Sequence, residues 1–133
     1  MSKSMSCGIT VLRVAVGIVF LKHGAQKLFD YHFSGVAGLF ASIHIPLPAV
    51  SAVVVTLVEF VGGIALVLGI GTRLAAALLA IDMAVAILAV HLKQGFFMPT
   101  GYEFAFTLLA ANICLLLAGA GSASLDGLFG KKN

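Results

Sequence analysis

The sequence predicts an all-α integral membrane protein, a four-transmembrane-helix bundle with a short interfacial or re-entrant helix between the first two spans. Three observations carry the prediction. Of 133 residues, 61% are hydrophobic and only 10% charged, where a soluble domain is about 45–50% apolar and about 25% charged. The apolar residues gather into four runs separated by Gly, Pro and basic residues. At about 20 residues per span, four spans use about 80 residues, which matches the apolar share. The same composition excludes a disordered chain, a disulfide-stapled secreted domain and an ordinary soluble enzyme.

The elements follow in order. The first span covers residues 8–28; Lys3 precedes it as in a signal peptide, but Arg13 interrupts the apolar run and no small-x-small cleavage site follows, so an uncleaved helix is expected. Phe29 to Ile45 repeats Phe33, Val36, Phe40 and Ile43 at helical spacing with serines between, too short and polar to cross. The second span, 48–70, opens on Pro46-x-Pro48 and closes at Gly69-x-Gly71-Thr72-Arg73. The third, 73–92, follows at once, which predicts a tight antiparallel hairpin. A loop containing Pro99 leads to the fourth, 101–119, and a polar tail ends the chain. Residues 1–133 thus read as a single domain.

The formal net charge of +3 is not a nucleic-acid signal, because no basic run exceeds Lys131-Lys132 and no stripe could track phosphates. Basic residues flanking apolar spans set topology instead. Lys3, Arg73, Lys131 and Lys132 on one side outnumber Lys22, Lys27 and Lys93 on the other by one, which places both termini on the cytoplasmic side. Cys7 and Cys114 have neither redox nor zinc spacing, and Cys114 reads as packing.

A span needs no charge, and one costs at least about 2.5–3.5 kcal/mol in hydrocarbon. Arg13, Lys22, Glu59, Asp82, His91, Glu103 and Asn112 nevertheless lie in or at the edge of the spans. At about 100° per residue, polar groups share stripes with small residues: Arg13, Gly17, Phe20, Gly24 and Lys27; Glu59, Gly62, Gly63, Leu66 and Gly69; Arg73, Ala77, Ala80, Ala84 and His91; Glu103, Thr107, Ala111 and Cys114. Small residues permit close helix approach, so these four faces are expected to point inward. Arg13 and Glu59 are then expected to form a structural ion pair in the interior. His91 and Glu103, flanking one short loop, are expected to line a pocket on the non-cytoplasmic side, roofed by Phe29 to Ile45 and by Phe96-Phe97. Asp82 falls about two and a half turns from His91 and so on the opposite face. Too short to reach the headgroups, it is expected to lie in an oligomer interface, with Ala75, Ala86 and Ala89 letting the partner close in. The alternative is a rotated helix in which Asp82 bonds within its own bundle.

These residues resemble the DoxX family of small membrane proteins. The matching stretches are Arg13-x3-Gly17-x2-Phe20-x2-His23-Gly24-x2-Lys27, Glu59-x2-Gly62-Gly63, Leu68-Gly69-x-Gly71-Thr72-Arg73, His91-x3-Gly95-Phe96-Phe97, Gly101-Tyr102-Glu103, and the tail from Gly119-x-Gly121 to Ser124-Leu125-Asp126. Asp82 belongs to none of them. The resemblance implies a bacterial or archaeal inner-membrane protein of four helices. It also implies a candidate quinol oxidase or an oxidoreductase-associated subunit that relies on a partner for electrons, relatives serving as a small subunit of thiosulfate:quinone oxidoreductase or as assembly factors.

Two functions compete on the residues. In a quinone-linked oxidoreductase subunit, His91 and Glu103 are the expected catalytic pair, bonding and protonating the quinone oxygens, while His23, Lys27 and Tyr102 complete the quinone-binding pocket. No flavin, iron–sulfur, nucleotide or metal motif is present, so electrons would come from a partner redox subunit. In a non-catalytic assembly or scaffold factor, the same polar residues only hold the bundle and dock a client. A haem held by His23 and His91 is a weaker reading, as is a transporter.

Overall fold

The computed structural model describes residues 1–130, and among these only helices, turns and loops occur; Lys131 and Lys132, which weigh in the charge balance, lie outside the described residues. Helix α1, Lys3–Ala25, is capped by the Ser2 hydroxyl, which accepts from Met5 N at 3.1 Å. It widens into a π-helical turn, Gln26–Tyr31, and the backbone leaves the helical region at His32 (φ 60°, ψ 169°). Helix α2, His32–Ser42, begins there. Helix α3, Pro48–Leu68, starts with Pro at its first position, where a missing N–H costs nothing. Gly69 (φ 69°) ends it, and α4, Thr72–Ala86, begins three residues after that. A π-helical turn, Ile87–His91, and a 3₁₀ turn, Leu92–Gln94, prolong α4; helix α5, Glu103–Ala118, and the short α6, Leu125–Leu128, complete the chain.

Helix α3 is central, packing on α1, on α4 and on α2, while α5 packs on α4 and touches α1. The α1–α3 contact is close because glycines face it. A Cβ added at Gly17 would stand 2.7 Å from the backbone nitrogen of Val67, and one at Gly63 would run into the backbone of Leu21. The order of these contacts makes the two helices antiparallel. Val16 and Phe20 of α1, Leu66 of α3, Leu79 and Met83 of α4, and Leu108 and Leu115 of α5 fill the core. Val36 and Phe40 of α2 form a second cluster on Ala52 of α3. The outer surface is apolar too: Val11, Leu74, Ile81, Leu88 and Leu117 are all more than 60% exposed, a surface suited to lipid rather than water.

Three helical segments are long and apolar enough to cross a membrane: the one beginning at Lys3, Pro48–Leu68, and Thr72–Gln94. Helix α5 is apolar but has 16 residues, about 24 Å at 1.5 Å per residue, short of a hydrocarbon core about 30 Å thick. Two of the four expected inward faces are correct. Helix α1 buries Arg13, Gly17, Phe20 and Gly24, and α3 buries Glu59, Gly63 and Leu66. The other two are rotated. Helix α4 buries Ala80 of the expected stripe but otherwise Ala75, Ala76, Leu79 and Met83 rather than Ala77 and Ala84, and α5 buries Ala105, Leu108, Asn112 and Leu115 while Thr107 is exposed. In both helices the polar group taken as a guide sits at a helix end, where it bonds a neighbouring loop or terminus instead of the core.

Candidate functional site

Polar groups gather at the two ends of the bundle. At the end where α3 turns into α4, Arg13 is 1% exposed and donates from Nε to Leu66 O at 2.8 Å, from Nη2 to Ala123 O at 2.6 Å and from Nη1 to Ala120 O. The expected Arg13–Glu59 pair therefore does not form. Leu66 O, in the last turn of α3, also accepts from Gly69 N at 3.2 Å, and a guanidinium with five donors serves that carbonyl and two of the 119–124 segment at once. Asp126 completes this end. Its carboxylate accepts from Gly71 N at 2.8 Å and Thr72 N at 3.0 Å, and so caps α4. Arg73 donates to Leu116 O and Leu117 O at the end of α5. The cap had a trace in the sequence, an acidic residue in a Ser-Leu-Asp turn and a helix start without its own capping side chain, but nothing local joins the two.

Toward the opposite end lies a cavity of about 600 Å³. Its walls are largely apolar, with Phe20, Val54, Met83 and Leu108 among them, and five titratable side chains reach it: His23, Lys27, Glu59, Asp82 and His91. Lys27 Nζ pairs with Glu59 Oε1 at 2.8 Å. Lys27, on the stripe predicted for α1, thus takes the partner expected of Arg13, for a geometric reason: antiparallel packing sets the middle of α3 beside the last turns of α1. Asp82 stands beside Glu59 and Lys27, and its Oδ2 is buried without a hydrogen-bond donor from the protein. The expectation that Asp82 faces a second subunit is corrected here. Rotation of α4 turns it into its own bundle, the alternative left open by the sequence.

His91 lines the cavity, and its Nδ1 lies 3.1 Å from Thr100 O. A carbonyl only accepts, so Nδ1 carries the proton and the neutral ring keeps Nε2 as its acceptor. Lys27 and His91 both ride on π-helical turns, a widening of the helix that is frequent at functional sites. Glu103 and Tyr102 do not line the cavity. Glu103 Oε2 accepts from Met98 N at 3.1 Å, so its carboxylate ties the 95–101 loop to the start of α5. Tyr102 stacks edge-on with Phe96 and Phe106. The expected roof is half right. Leu39, Phe40 and Ile45 close one side, while Met98 and Pro99 take the place given to Phe96 and Phe97. Among the described residues no group of three His, Cys, Asp or Glu side chains is placed to hold a metal ion.

A helical bundle with an apolar exterior and an internal cavity of this kind defines a small membrane protein with a buried polar site. More particularly, the chain belongs to the DoxX family, whose pattern residues 8–92 match. It is 37% identical over 138 residues to the Bacillus subtilis protein named "Putative oxidoreductase CatD", covering 100% of this chain and 96% of that one. It is 34% identical to an uncharacterized protein of Haemophilus influenzae, covering 93% of this chain and 92% of the relative. An uncharacterized membrane protein of Mycobacterium tuberculosis is 35% identical over 93% of this chain and 82% of its own length. No solved structure matches the chain.

Proposed function

We propose that this protein is a quinone-linked subunit of a bacterial or archaeal membrane oxidoreductase, binding a quinone or quinol in the cavity and exchanging electrons with a partner redox subunit. In this reading α5 serves as a fourth span, the chain is a multi-pass inner-membrane protein, and its termini face the cytoplasm. The observation that carries the proposal is the convergence of His23, Lys27, Glu59, Asp82 and His91 on one apolar cavity. The cavity volume lies within the about 300–1,000 Å³ usual for small-molecule sites. The buried Asp82 Oδ2 without a donor is the kind of atom a quinol hydroxyl satisfies.

Quinone reduction takes two electrons and two protons, and quinol oxidation returns them. The partner handles the electrons; the chain's own groups handle the protons. Lys27 offers a hydrogen bond to a ring oxygen, His91 Nε2 accepts one from a quinol hydroxyl, and Glu59 and Asp82 are carboxyls able to take up or give a proton. His91 holds its orientation through Thr100 O. Glu103 and Tyr102 act on this site indirectly, by fixing the loop that bears Thr100, Met98 and Pro99.

Organic extraction of the purified protein, followed by titration with a tailed benzoquinone, tests the reading. Bound or titrating quinone in the wild type, with affinity lost in His91→Ala and Asp82→Asn, is the expected result. An extract free of quinone together with a flat titration would refute it and favour the assembly-factor alternative.

A further inference from the structure

The cavity has two unlike mouths. All its lining residues on α3 and α4 come from Val50–Glu59 and Asp82–His91, the halves of the two helices remote from their turn at Gly69–Gly71. Nearer the turn the helices touch, and a Cβ at Gly62 would meet the Leu79 side chain at 3.2 Å. Where they part, Val50 and Val54 of α3 and Val85 of α4 line the cavity and yet are 58%, 52% and 49% exposed. These side chains face the interior and the apolar outer surface at once, so the seam between α3 and α4 opens sideways. The second mouth is polar. His23 borders both the cavity and an outer groove of about 440 Å³ formed with Lys22, Gln26, Phe29 and Asp30.

We propose that the ligand enters through the α3–α4 seam from within the bilayer, its polar head seating against Lys27, Glu59 and Asp82 and its apolar tail remaining between Val50, Val54 and Val85. The head must be neutral, since a charged group crossing hydrocarbon to reach the seam is strongly disfavoured, and it must carry oxygen or nitrogen groups to meet the Lys27–Glu59 ion pair. The tail must be long and apolar, because the seam offers it no polar contact and lipid continues its environment without a break. Water-soluble ligands would have to approach from the polar groove that His23 shares with the cavity. The inference rests on the quinone reading for the identity of the head; the seam itself does not.

The chain contains no tryptophan, so Phe20→Trp places a single reporter on the cavity wall, with Met83→Trp as a second if the first fails to fold. The reporter protein is put into lipid nanodiscs with ordinary or brominated acyl chains and titrated with a benzoquinone bearing a ten-carbon tail and with its tail-less counterpart. Brominated chains are expected to quench the reporter, and Val54→Phe with Val85→Phe to suppress that quenching. The same plug is expected to weaken the tailed quinone about tenfold while the tail-less one stays within about twofold. A reporter untouched by brominated chains, or a plug that affects both quinones equally, would overturn the seam. Quenching by brominated chains without binding of either quinone upholds the seam and overturns the quinone reading.

Discussion

Arg13 offers the sharpest test of the fold. Replacing it with Leu keeps bulk in a site that is 1% exposed but removes three hydrogen bonds, to Leu66 O, Ala120 O and Ala123 O. Bonds from a charged donor contribute about 1.5–3 kcal/mol each. Their sum overstates the loss, because the segment at 119–124 can relax toward water and the desolvation of the guanidinium is recovered. A net cost of about 3–5 kcal/mol is expected, a large part of the about 5–15 kcal/mol that holds a typical domain together. The measurement is reversible unfolding in mixed micelles, with Arg13→Leu, Glu59→Gln and the double variant compared. The two residues belong to polar clusters at different ends of the bundle, so their effects should add to within about 0.5 kcal/mol. A coupling above about 1 kcal/mol would mean that they meet after all, and an unchanged stability in Arg13→Leu would mean that the carbonyl clasp contributes nothing.

The other expectations are narrower. Lys27→Met should leave Glu59, only 5% exposed, without its cation and destabilise the protein by about 2–3 kcal/mol, less than a fully buried pair because Lys27 is partly exposed; Lys27→Met with Glu59→Met should regain most of it, as thermal denaturation in detergent can show. Gly63→Ala should force α1 from α3, since its Cβ would overlap the Leu21 backbone; a loss of more than about 1 kcal/mol is expected where the same change at exposed Gly38 costs none. Glu103→Gln should cost less than about 1 kcal/mol in stability while raising hydrogen exchange at Met98 N, the group its carboxylate holds. Unchanged protection there would show that Glu103 does not clamp the loop.

The sequence by itself determined where the chain is helical, that its surface is apolar, and which few residues are too costly to be idle. Those follow from local information: hydropathy, Gly and Pro punctuation, and the 3.6-residue period. The faces of α1 and α3 were legible because glycine lets backbones touch, and a glycine stripe is itself the contact. The faces of α4 and α5 were not, because Arg73 and Glu103 lie at helix ends, where a side chain takes its partner from a neighbouring loop or terminus. Which polar group meets which was the tertiary structure's decision. Pairing Arg13 with Glu59 or Lys27 with Glu59 depends on the stagger of two antiparallel helices, and that stagger is fixed by Gly17, Gly24 and Gly63 against backbone. Likewise a modest rotation of α4 decides whether Asp82 faces lipid or its own cavity. Packing across the whole helix sets that rotation, and no single residue along the chain records it.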